Sequence, residues 1–457
     1  MTTNTTTGID FAAIDSPIGR NWYDLDPNLQ QIVERLAHPD DRAFAEDHLR
    51  RMGAVIGERV AARAEITDKN PPRLEQYDHW GNEVNDIVHH QSALDTKRDL
   101  WESGFLGLRW TDDVRKTRAG HLPPTVNTGF LYFLNQAETG MACGIGMTSS
   151  AAGIINKNAP PEIRERFLAH LTTMDYAEAW DGAMFMTEVR GGSDLASSEC
   201  SARKTPDGWR VSGSKWFCSN LDAEAIITLA RPEGAPAGLA GLAQFLVPRH
   251  RADGSRNAIH VRRLKDKLGT KAVPTGEVDF TDAEAYLMGP AAAGPPAGPA
   301  AAGVDRSAAN GAPPAKFDAA ADGRGINRMM DMVQSSRFGV AIMGLGIMRR
   351  SFVEAAVYAH HRQAFGRTIT DFPLVRETLV NMAVEVEAAC ALAFEAAEAG
   401  AGGTPESKRL YRILVPLAKY RCARRGLELA TQAVEMHGGN GYIENWPVAR
   451  QFRDAMC

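Results

Sequence analysis

The hydrophobic pattern of this chain changes period twice, and no other feature constrains its fold as tightly. Across residues 29–184 apolar side chains recur at helical spacing, as at Ile32, Leu36, Phe44 and Leu49 and again at Phe130, Phe133 and Leu134. Pro71-Pro72 interrupts this run. Residues 73–84 then read as an extended excursion with a turn at Trp80-Gly81-Asn82. Between Met184 and Met288 the period falls to two, in residues 209–217, 225–230, 243–247 and 276–280, the signature of an antiparallel β domain. After Gly323-Arg324-Gly325 the helical period returns in residues 326–361, 374–399 and 405–437, whose lengths suit an antiparallel bundle. Gly339, Gly344 and Gly346 in the first of these allow another helix to come close, and the Met and Gly content reads as core packing.

Residues 1–183 therefore read as an N-terminal helical domain, 184–289 as a middle β domain and 324–457 as a C-terminal helical bundle. Residues 290–323 are dominated by Ala, Gly and Pro, which bury too little side chain to offset the entropy of ordering, so a disordered loop is expected. A net charge of -5 argues against a general nucleic-acid footprint. The six cysteines show no metal-like spacing, so ordinary reduced thiols and no metal site are expected. The polar start, Met1 to Gly8, has neither a basic nor an apolar leader region, and no apolar run reaches membrane-spanning length. These features read as a cytoplasmic protein without a membrane segment.

Two segments of the β region carry chemistry. Phe185-Met186-Thr187-Glu188 leads through Val189-Arg190 into Gly191-Gly192-Ser193-Asp194, where a hydroxyl and consecutive amides precede a turn whose backbone can approach a pyrophosphate. Lys215-Trp216-Phe217-Cys218-Ser219-Asn220 places an aromatic face beside a second hydroxyl, which suits a flavin ring with its apolar faces and polar edge. Together they resemble the paired signatures of the acyl-CoA dehydrogenase family, and the order helical domain, β domain, helical bundle is also that family's fold.

The resemblance implies an FAD site. Thr187 would bind the pyrimidine edge, Ser193 the pyrophosphate, Phe217 the ring face and Ser219 the flavin N5, with Phe185, Met186, Gly192 and Cys218 completing the set. Arg362-Gln363-Ala364-Phe365-Gly366 resembles the family's Arg-x-x-Phe-Gly motif. Glu435-Met436-His437-Gly438-Gly439-Asn440-Gly441 resembles its Gln-x-x-Gly-Gly-x-Gly segment. By that resemblance Arg362, Phe365, Glu435, Met436, Gly438 and Gly439 would reach the FAD held mainly by a neighbouring subunit of a dimer of dimers. Two departures stand out: Phe372-Pro373 where the family often has His-Gln, and Glu435 in place of glutamine. Residues 70–78, Pro248-Arg249 and residues 263–269 are similar to the family's adaptive-response AidB-like branch rather than to enzymes of fatty-acid oxidation.

The implied reaction is α,β-dehydrogenation of an acyl-CoA thioester: a carboxylate removes the α proton, the β hydrogen leaves as hydride to flavin N5, and an electron-transfer flavoprotein takes the electrons. The family usually draws its base from a Glu just beyond Arg-Asp-Ala. Here Arg453-Asp454-Ala455 is followed only by Met456-Cys457, so the bundle reads as incomplete and the chain as truncated. The alternative position for the base holds Ser336, while Asp454 and Glu435 are the nearest acids by sequence. Two competing readings follow from the same resemblance: an AidB-like flavoprotein of the DNA alkylation response with little turnover, and a flavin oxidase of the nitroalkane type. DNA binding is not favoured, because the further C-terminal region linked to it in that branch is not in this sequence.

Overall fold

The computed structural model describes residues 14–118, 120–289 and 324–457. The expected disordered loop at 290–323 lies outside the described residues. Helices α1 (Pro27–Leu36), α2 (Arg42–Ala54) and α3 (Ala61–Lys69) open the fold. Asp26 fixes the start of α1 by accepting from Leu29 N–H at 3.0 Å, with Pro27 at the first helical position where its missing N–H costs nothing. The expected excursion is a hairpin of β1 (Arg73–Tyr77) and β2 (Glu83–Val88), whose turn is held by Asp78 accepting from Trp80 and Asn82 N–H. Helices α4 (Gln91–Glu102), α5 (Asp112–Arg115), α6 (Pro124–Ala137), α7 (Thr139–Asn158) and α8 (Pro161–Leu171) follow.

Seven strands come next: β3 (Gly182–Phe185), β4 (Ser201–Thr205), β5 (Gly208–Ser219), β6 (Ala225–Pro232), β7 (Ala243–Pro248), β8 (Ile259–Leu264) and β9 (Thr275–Met288). Their order is β3-β6-β4-β5-β9-β7, with β8 on β9, and the pairing of β6 with β7 closes five of them into a ring. Phe185, Val211, Cys218, Phe245, Val278 and Phe280 fill its interior. The expectation of an antiparallel domain needs one correction: β6 runs parallel to both β3 and β4. A period of two reports that alternate residues are buried; it carries no information about which strand lies alongside or its direction.

The last part contains α9 (Gly325–His361), a tight hairpin of β10 (Gln363–Ala364) and β11 (Arg367–Thr368), then α10 (Pro373–Ala401), α11 (Pro405–His437) and α12 (Pro447–Asp454). Helix α9 is central, contributing residues to the cores of the helical and β regions. It meets α11 where Gly344 lies so close that an added Cβ would sit 2.5 Å from the Cys422 carbonyl carbon. Gly438, at φ +59°, ends α11 in the left-handed region that glycine tolerates.

Candidate flavin site

The two β-region segments, thirty residues apart, are stitched together directly. Trp216 N–H donates to the Thr187 carbonyl at 2.8 Å. Lys215 Nζ, wholly buried, donates to Glu188 Oε1 at 2.7 Å, to the Leu229 carbonyl at 3.0 Å and to the Met186 carbonyl at 3.4 Å. Glu188 in turn accepts from the Glu199 and Cys200 N–H groups, so this one carboxylate pins both ends of the loop that contains Gly192 and Ser193. Burial by itself would raise the Glu188 carboxyl, but the Lys215 charge and these hydrogen bonds outweigh it and hold the group below its ordinary range.

The register of β5 against β9 slips between Lys215 and Cys218, where three residues on β5 advance while β9 advances two. That bulge turns Phe217 outward, 53% exposed, while Cys218 falls into the ring interior. Lys265 Nζ lies 3.7 Å from the Trp216 ring centroid and 4.6 Å from that of Phe217. Ser219 Oγ is 2.9 Å from Thr275 Oγ1. Gly192 and Ser193 are exposed, and a Cβ on Gly192 would touch only the Thr187 methyl, at 3.8 Å, so the turn folds back beside Thr187 with its outer side open. The side chains of Phe185 and Cys218 are fully buried in the ring core, so these two can meet a ligand only through backbone atoms; Met186 packs half-buried toward the helices.

A second surface forms where α9 and α11 end. Arg362, Glu435, Met436, Gly438 and Gly439 share an open cleft of about 410 Å³ with Tyr358, His437 and Asn440. Gly438 and Gly439 have nothing within 4 Å of an added Cβ, leaving room for a ligand against bare backbone. Phe365 does not join them. It sits at the tip of the β10–β11 turn at φ +53°, 96% exposed, its ring edge-on to Phe372. The cleft shares no lining residue with the Phe217 surface. Ser336 is half-buried on α9, and Asp454 is committed to Thr270 N–H at 2.6 Å and Arg450 Nη1 at 3.3 Å.

Sequence reasoning passed over Glu188 and Lys215, the pair that joins the segments, and Tyr358, His437 and Asn440 in the cleft wall. Glu188 stood inside the first motif and Lys215 inside the second, so the signal available was an acid and a base in segments otherwise destined for burial.

Comparison with known families matches three consecutive stretches: the Adaptive response protein AidB N-terminal domain over residues 15–178, the Acyl-CoA dehydrogenase middle domain over 183–283 and the Acyl-CoA dehydrogenase C-terminal domain over 323–457. AidB of Escherichia coli K12 is 30% identical over 445 residues, covering 95% of this chain and 74% of that protein. Acyl-CoA dehydrogenase family member 11 of Caenorhabditis elegans is 28% identical over 455 residues, 96% of this chain and 68% of its own length. Among solved structures, Caenorhabditis elegans ACDH-11 in complex with C11-CoA superposes with a TM-score of 0.84 at 26% identity, covering all of this chain and 72% of that one. Butyryl-CoA dehydrogenase of Megasphaera elsdenii shares the fold at a TM-score of 0.70 and 22% identity, covering 90% and 92%.

Proposed function

This chain belongs to the acyl-CoA dehydrogenase family, in its AidB-like branch, and from that premise we propose that it binds FAD at the Phe217 surface and oxidises the Cα–Cβ bond of an acyl-CoA to a trans-2-enoyl thioester. Members of the family are flavoproteins. The residues present fit the cofactor. An outward aromatic ring, a hydroxyl beside it, an open Gly-Gly-Ser turn and a separate cleft with a guanidinium and bare glycine backbone answer to its ring, edge and phosphates.

In this reading Thr187 orients the pyrimidine edge, Phe217 covers one ring face and keeps water from it, and Ser219 Oγ donates at N5. Gly192 and Ser193 receive the pyrophosphate. Arg362, Glu435, Met436, Gly438 and Gly439 serve the FAD of a second subunit, which makes the working enzyme a homo-oligomer. Bound FAD supplies the acceptor for the hydride that leaves the acyl β carbon. The C11-CoA complex of the worm relative supports an acyl-CoA as the ligand. Removal of the α proton needs a carboxylate, and neither Ser336 nor the fully engaged Asp454 is assigned that step.

The observation that carries the reading is the Trp216 to Thr187 hydrogen bond, which merges two separate motifs into one surface with Phe217 facing out. Purified protein should contain flavin, and anaerobic mixing with straight and branched acyl-CoAs should bleach it. Peroxide release from nitroalkanes instead would favour the oxidase reading. Salt-sensitive DNA retention without bleaching would favour a role in the alkylation response, the reading to which the AidB N-terminal match lends support. A preparation that neither contains nor takes up FAD would defeat the proposal.

A further inference from the structure

A cavity of about 160 Å³ lies between residues 15–26 and the C-terminal part of α9, and it shares no lining residue with the Arg362 cleft. Trp22 and Leu25 wall one side; Val353 and Val357, one turn apart on α9, wall the other. Arg349 and Arg350 of the same helix supply its polar surface, and exposed Asp15 and Arg20 pair at its mouth.

The outer wall is fixed by backbone contacts. Gly19 N–H donates to the Gly57 carbonyl at 2.9 Å and Trp22 N–H to the Gly53 carbonyl at 3.2 Å. The approach is so close that a Cβ on Gly53 would sit 2.6 Å from Asn21 Oδ1, and one on Gly57 2.1 Å from the Arg20 carbonyl oxygen. Trp22 Nε1 donates to the Pro17 carbonyl at 2.8 Å, and the Arg350 guanidinium carbon lies 5.2 Å from the indole centroid. The cavity is therefore a formed pocket with an aromatic wall held in place.

Its hydrogen-bonding balance selects the guest. Both acids that line it are engaged: Asp15 with Arg20, and Asp26 with Leu29 N–H at 3.0 Å and the Tyr132 hydroxyl at 2.7 Å. The contact of Asp26 with Arg349 Nε is long, at 3.4 Å. Arg350 gives Nε to Glu354 at 2.7 Å and Nη1 to the Gln136 carbonyl at 3.3 Å. Arg349 gives Nη2 to the Leu25 carbonyl at 3.0 Å, but its Nη1 has no partner among the described residues, on a side chain 14% exposed. The pocket thus sets a loosely paired cation with a free donor beside an apolar wall, which is complementary to a carboxylate on an apolar body. An amine would meet cations and engaged acids, and a wholly apolar guest would leave Arg349 unanswered. A cavity of about 150 Å³ accommodates benzene, which sets the size of that body at about six carbons.

We propose that this cavity is a binding site for a small free monocarboxylate with an apolar body of about six carbons, its carboxylate taken by Arg349 and its body set between Trp22, Val353 and Val357. The site includes none of the residues assigned to flavin and stands apart from the dehydrogenase reading.

The test titrates the full chain as purified, by calorimetry, with benzoate, hexanoate, benzyl alcohol and benzylamine. Benzoate and hexanoate should bind, benzyl alcohol at least roughly tenfold more weakly, and benzylamine not at all. Val353→Phe fills the cavity and should abolish benzoate binding while leaving flavin content unchanged. Arg349→Met removes the donor and should weaken benzoate at least roughly tenfold with little change for benzyl alcohol. Should that variant fail to fold, the wild-type series and Val353→Phe still decide. Benzyl alcohol or benzylamine matching benzoate overturns the proposal, as does benzoate binding that survives Val353→Phe, and so does the absence of binding by both carboxylates.

Discussion

At the residue scale the site depends on one buried ion pair. Lys215 and Glu188 are withdrawn from water, at 0% and 6% side-chain exposure; each bonds the other, Glu188 also accepts from the N–H groups at the end of the loop, and Lys215 also donates to the Leu229 and Met186 carbonyls. Lys215→Met would leave the carboxylate buried without its cation, at a cost of about 3–5 kcal/mol, and should release flavin because the 188–200 loop loses its anchor. The double variant Glu188→Leu with Lys215→Met should recover part of the melting temperature but not the flavin, which separates stability from loop placement. Glu138 is a second buried carboxyl, capping α7 by accepting from Gly140 N–H at 3.1 Å while its Oε2 has no partner among the described residues. Burial pushes its pKa up to about 8, with Arg450 pulling the other way. Its folded pKa exceeds its unfolded value, so between the ordinary 4.5 and about 8 the folded state holds a proton that the unfolded state releases, and stability falls as pH rises through that window. Glu138→Gln keeps the cap and removes the penalty. Its melting temperature should match wild type near pH 4.5 and exceed it increasingly up to pH 8, by at most about 1.4 kcal/mol per pH unit. A constant difference across that range would contradict the assignment.

At the element scale, a single extra residue in β5 decides which side chain meets a ligand. Strict alternation from Lys215 would have placed Phe217 on the same buried face as Lys215; the bulge exposes Phe217 and buries Cys218 instead. Phe217→Ala should therefore cost FAD affinity several-fold while changing stability by no more than about 0.5 kcal/mol, since the ring covers little of the core. Flavin content and melting temperature measured on one preparation would check both halves. The contact of α9 with α11 is set by a different small residue. Gly344→Val has no space beside Cys422, and should destabilise the protein by about 1–3 kcal/mol as the helices are forced apart. Three of the helices were legible as long runs at helical spacing, two of them with Pro at the start and Gly at the end, as α10 shows with Pro373 and Gly402 and α11 with Thr404, Pro405 and Gly438. The bulge was not, because nothing in Trp216-Phe217 differs locally from an ordinary strand.

For the molecule as a whole, the two candidate ligand surfaces share no lining residue, and large apolar side chains remain exposed on α10 and α11: Val380 and Val384 on one, Leu410, Ile413, Leu417 and Tyr420 at helical spacing on the other. A face of this kind suits burial against a second copy. Leu417→Glu should shift the protein toward smaller species in sedimentation and lower FAD retention in step, because a ligand that needs two subunits stabilises their association. Unchanged mass and flavin content would dissociate the two. Arg362→Ala should lower FAD content while sparing the helix, where a capping role alone would cost a few tenths of a kcal/mol to about 1 kcal/mol and no flavin. The amino-acid sequence by itself determined the sequence of helical and strand regions, because hydrophobic period and turn chemistry act over neighbouring residues, and it carried the paired β-region motifs that resemble the family's. The tertiary structure alone decided that β6 runs parallel to β3 and β4, that Glu188 and Lys215 clamp the motif loop, that Phe217 faces out while Phe185 and Cys218 face in, and that His437 joins Arg362 in one cleft. Each of these depends on groups brought together from distant parts of the chain, and local periodicity carries no record of such partners.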